Sequence, residues 1–402
     1  MQAKIDREKQ IEILRGRLAE SVKKRNDTVF HPSGIKYNHA GTSRDRFEAG
    51  EPLANPFQID KERIVMCKAF RRLKHKTQVF WSPRNDHFRT RLTHTIELAQ
   101  TADLIGSLLG LNTDLIEAIA FGHDIGSPPF GHAGQRALQF WLSRYHEEQE
   151  RRPPEERSSD YDKAKEQLAF DRHAWAWKIL QQYEEPYGQP GVPGLNLTHL
   201  TQDGIKNPRL VNSTSLEAQV VGLADDLTWI NHDAEDFEQA GINLSDASFE
   251  AIRALGATRN DRMERAVRDI LCAILSGNCR AVTASPELLN VLNVIAEAQD
   301  EVFSHGKLWR RHEEGARVII EHLMDWYMIE DATEIRTTIS RLVKAGERLE
   351  LEDEDISFLR RWRVEGISRL EAAVDAIVKM SDTFALDLYR HIYSPEILDY
   401  HF

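Results

Sequence analysis

Apolar residues recur at helical spacing along most of this 402-residue chain. In residues 91–110 the apolar positions are Leu92, Ile96, Ala99, Leu104 and Leu108. In residues 215–237 they are Leu216, Val220, Leu223, Leu227 and Ile230. Between these two segments, Asn112 or Thr113 is placed to cap a third apolar helix. Because few segments alternate with the period of two that strands require, the sequence predicts a mostly α-helical protein.

Two stretches interrupt the helical pattern. Residues 146–167 are highly charged and contain paired prolines, so we predict an exposed insert there. Residues 184–200 are rich in glycine and proline, which predicts a connecting loop.

The composition is that of a soluble globular protein, with 41% hydrophobic and 29% charged residues. No apolar run approaches the roughly 20 residues that span a bilayer. The N-terminal segment carries charges where a signal peptide would have an apolar core. We therefore predict no membrane association and a cytoplasmic location. The cysteines Cys67, Cys272 and Cys279 have no CxxC spacing, which predicts neither a disulfide framework nor a thiolate zinc site.

Charge is distributed unevenly along the chain. The formal net charge of −12 argues against general affinity for nucleic acid or for an anionic membrane. Residues 61–91 nevertheless contain ten basic and two acidic residues, a local charge of +8. This basic segment predicts one small polyanionic ligand. A solvated helix face whose arginines pair with acidic residues elsewhere explains the run equally well.

The most unusual stretch is FGHDIGSPPFGH, residues 121–132. It places His123 beside Asp124 at the end of an apolar helix, just before a glycine-proline break. Burying both side chains without a partner costs several kcal/mol. His94 on the preceding helix and Asp225 on a later one supply two further polar groups on apolar helices.

Two imidazoles and two carboxylates suit a divalent ion of intermediate hardness. Mn, Fe, Co, Ni and Zn fit such a set, and Mg fits it with additional water ligands. An open coordination position lowers the pKa of a bound water and gives a hydroxide nucleophile near neutral pH. Taken alone, a histidine on an apolar helix face is more often a core residue, and an aspartate such as Asp225, followed by Asp226, is more often solvated.

The chain resembles the deoxyguanosine triphosphate triphosphohydrolase (dGTPase) family of HD-domain phosphohydrolases. The likeness runs from about Asn55 to Tyr393 and is carried by segments in family order. They are KAFRRLKHKTQVF, FRTRLTHTIELAQ, GHDIGSPPFGHAGQ, GLNLT, ADDLTWINHD and VDAIVKMSDTFAL. The resemblance implies an N-terminal helical extension over 1–54, an HD-type helical core over 55–250, and additional C-terminal helices over 251–402 that pack on the core.

The resemblance also implies a metal site. Its ligands are His94, His123, Asp124 and Asp225. Asp225 is preferred to Asp226 because the family's last ligand is followed at +4 by an aromatic residue and at +8 by an acid. The native ion is implied to be Mn, Mg, Fe or Co.

Substrate contacts follow from the same resemblance. Trp229 and Asp233, at the +4 and +8 positions, are implied to hold the deoxyribose and its 3′-hydroxyl, together with Gln78 of the KTQ motif. Arg91 is implied to contact phosphate, and Arg72 and Lys74 of the basic segment join it as predicted substrate contacts.

The implied reaction is hydrolysis of a deoxynucleoside triphosphate (dNTP) to deoxynucleoside and triphosphate, by attack of a metal hydroxide on the alpha-phosphorus. His132 is implied to act as the acid/base group near the breaking bond. The family's carboxylate three residues after it is replaced by Gln135, which cannot take a proton. Ser127 and the FDRHAW segment, residues 170–175, also depart from the family pattern, as does Trp229 in place of tyrosine.

These departures leave two alternatives open. One is a nucleotide sensor of low turnover that keeps the metal and binds polyphosphate. The other is an HD phosphohydrolase that acts on a different nucleotide or on single-stranded nucleic acid, although the net charge does not indicate nucleic acid. Relatives form oligomers, often with nucleotides at interfaces, so the resemblance implies a homo-oligomer and leaves an allosteric nucleotide open.

Overall fold

The computed structural model describes most of the chain. The described residues are 13, 16–17, 20–21, 23–26, 30–47, 54–79, 88–161, 170–186, 192–208, 215–239, 250, 253–276, 281–305, 307–343 and 357–393. Among them the only β pairing consists of isolated bridges, Arg44 with Thr198 and Thr77 with Thr90. The prediction of a mostly α-helical protein is confirmed. No helix in these ranges is long and apolar enough to cross a membrane.

The α-helices of the described ranges are numbered in chain order. They are α1 (Pro56–Met66), α2 (Lys68–Arg72), α3 (Arg91–Leu108), α4 (Thr113–Gly122), α5 (Gly131–Glu150), α6 (Arg172–Lys178), α7 (His199–Lys206), α8 (Leu216–Gln239), α9 (Arg259–Ser276), α10 (Pro286–His305), α11 (Lys307–Ile329), α12 (Ala332–Val343), α13 (Ser357–Leu359), α14 (Arg369–Lys379) and α15 (Asp382–Tyr393).

These helices belong to two compact units, each assembled from separated stretches of sequence. The first comprises Met1–Arg71, Leu92–Ile125 and His173–Asp300. The second comprises Arg72–Arg91, Gly126–Arg172 and Glu301–Phe402. The division into functional regions at residues 54 and 250 stays a prediction.

Helix α4 lies at the centre of the first unit, packed against α1, α7 and α8. Asn112 caps it by accepting a hydrogen bond from the Leu115 amide, as the sequence predicts. Leu115, Ile116 and Ile119 are fully buried, and each contributes about 1.5–3 kcal/mol. Gly204 of α7 permits close approach, because a Cβ there would lie 2.3 Å from the Ile119 side chain. The core therefore fixes the end of α4 from several sides.

Helix α3 forms where predicted and ends before Gly110, whose φ of +64° suits glycine. The apolar stripe used to predict it is not the buried one, because Ile96, Leu104 and Leu108 are exposed. Its buried apolar residues are Leu98, Ala99, Ala102 and Ile105, of which only Ala99 belongs to the predicted stripe. Apolar residues on two sides of α3 give the same helical period, and only packing selects between them. In α8, by contrast, Leu216, Val220, Leu223 and Leu227 are all buried.

The second unit is organised around α11, which packs against α5, α14 and α15. Tryptophans anchor this core: Trp309 is 1% exposed, and the Trp141 indole donates to the Asp325 carboxylate at 2.7 Å. Arg144 of α5 pairs with Glu321 of α11 at 3.0 Å. Most described residues of the C-terminal region are therefore helical, and the packing of residues 251–402 on the core stays a prediction.

The two predicted interruptions differ in outcome. His146–Glu150 continue α5 instead of starting a loop, because the helix does not end until Glu150. Residues 151–156 are exposed, and 162–169 of the predicted insert lie outside the described residues. The loop predicted at 184–200 ends at Thr198, which caps α7, and its residues 187–191 are likewise not described.

A half-buried histidine of α11 makes the stability of the second unit depend on pH. Burial lowers the pKa of His312 to about 4. The hydrogen bond between its ring and the Phe130 carbonyl acts in the opposite direction and raises the pKa. The unfolded chain, with an ordinary histidine pKa near 6.5, therefore binds this proton at a higher pH than the folded chain. Lowering the pH from 7 to 5 is expected to cost about 1–2 kcal/mol through this group.

The His312→Gln variant is expected to lack that part of the pH dependence. Urea unfolding of both proteins at pH 7 and pH 5 measures it as a difference in the free energy of unfolding. An identical pH dependence in parent and variant would contradict the burial argument.

Candidate metal centre

Three helices of the first unit bring polar side chains to one buried point. His94 lies on α3, His123 and Asp124 follow the last residue of α4, and Asp225 lies on α8. The two histidines are 1% exposed, Asp124 is fully buried, and the Asp225 side chain is 15% exposed. Helix α4 is apolar and packs in the core up to its C-terminal end. Because His123 and Asp124 directly follow that end, they are buried as well.

The donor atoms of these residues are close enough to share one ion. One ligand atom from each of His94, His123 and Asp124 lies within 4.8 Å of the other two. The Asp225 Oδ1 is 3.0 Å from the His94 Nε2 and 3.8 Å from the His123 Nε2. The His123 Nε2 is also 3.9 Å from the Asp124 Oδ1. The two predicted carboxylates and two predicted imidazoles thus converge.

The backbone sets which nitrogen of His123 faces this point. Its Nδ1 lies 2.7 Å from the Ala120 carbonyl oxygen, which can only accept, so Nδ1 carries the proton. The Nε2 lone pair is then directed toward the two aspartates. Metal-binding histidines are held in this way, with the second ring nitrogen donating to a carbonyl or carboxylate. Two carboxylates within 4 Å of one neutral imidazole also favour a cation between them. The donor set therefore fits a divalent metal ion.

A fifth polar residue lies beside this cluster. The His173 ring, on α6, stacks near the His123 ring with centroids 6.4 Å apart and planes inclined by 30°. It is buried, with 9% exposure. Sequence reasoning identified His173 only as a departure within FDRHAW, because spacing along the chain does not show which ring lies against which.

Other predicted site residues lie in the second unit. Gln78 is half-buried, and its Oε1 is buried with no hydrogen-bond partner among the described residues. Arg91 is 2% exposed, with its guanidinium beside the Gly131 backbone. His132 is exposed in the first turn of α5, and Gln135 is half-buried one turn later on the same face. Arg72 is half-buried and Lys74 is exposed.

The remaining two predicted residues lie on α8. Trp229 and Asp233 are helical there, one and two turns after Asp225, so the three share a face. The side chains of Trp229 and Asp233 are outside the described residues.

Comparison with known proteins adds the family. The HD domain family matches residues 91–230, a span that contains all four converging residues. A deoxyguanosinetriphosphate triphosphohydrolase-like protein of Caldanaerobacter subterraneus subsp. tengcongensis is 33% identical over 354 residues, which cover 88% of this chain and 89% of the relative. The similarly named protein of Thiobacillus denitrificans is 31% identical over 391 residues, covering 89% and 96%.

The chain belongs to the deoxyguanosinetriphosphate triphosphohydrolase-like family of HD-domain proteins. It is therefore an HD-domain phosphohydrolase. A third relative, from Clostridium tetani, is 29% identical over 88% of this chain and 90% of its own length. HD domains depend on metal, and among the described residues His94, His123 and Asp124 form a cluster that could hold one.

In this family member the basic segment of residues 61–91 is partly used for internal contacts. Lys61 pairs with Glu117 at 2.6 Å, and Arg63 donates to the carbonyls of Leu195 and Asn196. Lys76 is 2% exposed and bonds backbone carbonyls. Lys61 therefore fits the interpretation as charge paired with acidic residues elsewhere, whereas Arg63 and Lys76 bond backbone carbonyls. The assignment of the half-buried Arg72 and the exposed Lys74 to a polyanionic ligand stays a prediction.

Proposed function

We propose that the protein hydrolyses a deoxynucleoside triphosphate to a deoxynucleoside and intact triphosphate. The observation that carries the proposal is the convergence of His94, His123, Asp124 and Asp225 at a buried point, with the His123 tautomer set by the Ala120 carbonyl. The names of the relatives supply the substrate class, since they are called deoxyguanosinetriphosphate triphosphohydrolase-like.

The four converging residues would hold the divalent ion. Bound there, the ion supplies Lewis-acid activation of a phosphate oxygen and a water of lowered pKa. Ala120 keeps the His123 ring in one orientation and one tautomer. The fully buried Asp124 keeps its carboxylate out of bulk water, which strengthens its attraction for a cation.

Residues of the second unit are assigned to the nucleotide. Arg91 binds phosphate, and the half-buried Arg72 and the exposed Lys74 raise the local positive potential for a polyanion. Gln78 binds the deoxyribose, for which its buried and unsatisfied amide oxygen is an acceptor. His132 holds the proton that the leaving oxygen takes up, and its exposure leaves it accessible to a ligand. On α8, Trp229 and Asp233 join the sugar contacts.

Product analysis tests the proposal. Metal-free protein is incubated with each of the four dNTPs, with Mn or Mg added, and products are resolved by anion exchange. We expect deoxynucleoside and triphosphate only with metal, and none from the His94→Ala and Asp225→Ala variants. Saturable dNTP binding without any product would instead support the nucleotide sensor, the alternative favoured by Gln135 in place of a carboxylate.

Restoring a carboxylate beside His132 is expected to raise turnover. In the Gln135→Glu variant the new carboxylate lies one turn from His132 on the same face of α5, where it stabilises the protonated imidazole that gives its proton to the leaving oxygen. We expect kcat to increase about tenfold or more, within the range that acid/base groups contribute. The matched control is Gln139→Glu, one turn further along the helix, with kcat unchanged. Equal kcat values for Gln135→Glu and the parent would exclude residue 135 from proton transfer.

A further inference from the structure

A buried carboxylate ties together two loops of the second unit. Asp382, in the first turn of α15, is 2% exposed. Its Oδ2 accepts a hydrogen bond from the Thr77 amide at 2.9 Å, and its Oδ1 accepts one from the Phe130 amide at 2.9 Å. The Thr77 hydroxyl also donates to it. Each oxygen thus serves a different segment of the chain.

A buried lysine completes the same connection. The Lys76 ammonium, in a side chain 2% exposed, donates to the carbonyls of Ser127 at 2.5 Å and Val378 at 2.7 Å. Lys76 therefore joins the loop before α5 to the end of α14, while Asp382 joins that loop to the segment after Lys76. Three segments, residues 76–78, 127–132 and 378–382, are held by one pair of opposite charges.

The bond to Phe130 supports an unfavourable backbone conformation. Phe130 has a φ of 63°, in the left-handed region that bulky side chains disfavour. It caps the start of α5, two residues before His132, without a side-chain hydrogen bond of its own. Its amide bond to Asp382 therefore stabilises the turn from which His132 projects. The other carboxylate oxygen of Asp382 accepts the hydrogen bond from the Thr77 amide, and Thr77 immediately precedes Gln78 in the chain.

We propose that Asp382 is a positioning residue that fixes the Gln78 segment relative to the His132 segment. The inference rests on the proposed function, in which Gln78 binds the deoxyribose and His132 serves the leaving oxygen. A carboxylate is required because both partners are amide donors, and an asparagine offers one acceptor and one donor. In Asp382→Asn, the backbone amide of either Thr77 or Phe130 faces the NH₂ group of the asparagine and cannot form a hydrogen bond with it. The two loops then no longer share one side chain that accepts from both.

Discrimination between a dNTP and the same nucleotide without its 3′-hydroxyl tests this role. Loss of folded, active protein lowers the activity on the two nucleotides by the same factor and leaves their ratio unchanged. Displacement of Gln78 instead lowers the ratio, because only the dNTP has the 3′-hydroxyl that Gln78 is proposed to bind. For Asp382→Asn we expect the ratio of the two kcat/KM values to fall about tenfold, with metal content unchanged. The control is Asp375→Asn, another fully buried carboxylate of this unit, which binds Arg361. Its ratio is expected to equal that of the parent.

A second measurement is independent of turnover. Hydrogen exchange followed by mass spectrometry is expected to show faster exchange of the amides of residues 76–78 and 130–132 in Asp382→Asn than in Asp375→Asn. If Asp382→Asn does not fold, Thr77→Val removes only the hydroxyl bond, and a fall of about threefold in the ratio is expected.

The two proposals fail in different ways. If the parent protein does not hydrolyse dNTPs, the proposed function is contradicted. The role of Asp382 is then tested with the ratio of the binding affinities for the dNTP and for the nucleotide without its 3′-hydroxyl, in place of the ratio of kcat/KM values. An unchanged ratio together with unchanged exchange would overturn the positioning role of Asp382, whatever the parent hydrolyses.

Discussion

Replacing His123 by alanine is expected to abolish binding of the divalent ion and to lower dNTP hydrolysis on the order of a thousandfold or more. The ring lies at the centre of the cluster, with its Nε2 within 4 Å of both the Asp124 and Asp225 carboxylates. Removing it leaves the Asp124 and Asp225 carboxylates without the imidazole nitrogen that lies between them. Metal content by mass spectrometry and kcat with the preferred dNTP measure the two effects.

Two adjacent aspartates of α8 provide the matched control. Asp225 faces the cluster at 3.0 Å from His94, whereas Asp226 is exposed. Asp225→Asn is expected to lose metal and activity as His123→Ala does, and Asp226→Asn is expected to keep both. Retention of about one ion per chain by His123→Ala, or equal losses in the two aspartate variants, would contradict the assignment of the ligands.

Replacing His132 by alanine is expected to lower kcat by a factor of about 10² to 10⁴, the range lost with a general acid. His132 is exposed in the first turn of α5 and belongs to the second unit, whereas the candidate ligands belong to the first. Metal content should therefore equal that of the parent. The KM for the dNTP should change little, because the lost interaction is made with the leaving oxygen during the reaction.

An exposed histidine of α15, His391, serves as the control for His132. The His391→Ala variant is expected to retain the parent kcat. A His132→Ala protein with kcat within twofold of the parent would remove His132 from the mechanism. Loss of metal together with activity would point to a structural role instead.

Local rules predicted the parts of the fold that depend on neighbouring residues. The Asn112 cap, the end of α3 before Gly110 and the buried stripe of α8 all follow from spacing and capping chemistry. The buried face of α3 did not follow, because Ile96, Leu104 and Leu108 have the same period as the residues that are buried. Tertiary packing decides between two such faces, and helical periodicity contains no information about it.

The candidate ligands could be proposed from the sequence because burying His123 and Asp124 without a partner is costly, and because the family resemblance implied His94 and Asp225 as their companions. The roles of Lys76 and Asp382 could not, since a lysine in a basic segment and an aspartate at a helix start are both commonplace on a surface. Their burial depends on backbone groups far away in the chain, such as Val378 for Lys76 and Phe130 for Asp382. The stacking of His173 on His123 depends in the same way on how α6 packs.

The most direct test of the proposed activity is to run the reaction in ¹⁸O-labelled water and to weigh the products by mass spectrometry. Attack on the alpha-phosphorus predicts triphosphate carrying one ¹⁸O and an unlabelled deoxynucleoside, formed only when a divalent metal is present. Release of pyrophosphate or of single phosphate, label in the deoxynucleoside, or the same yield without metal would contradict a metal-dependent triphosphohydrolase.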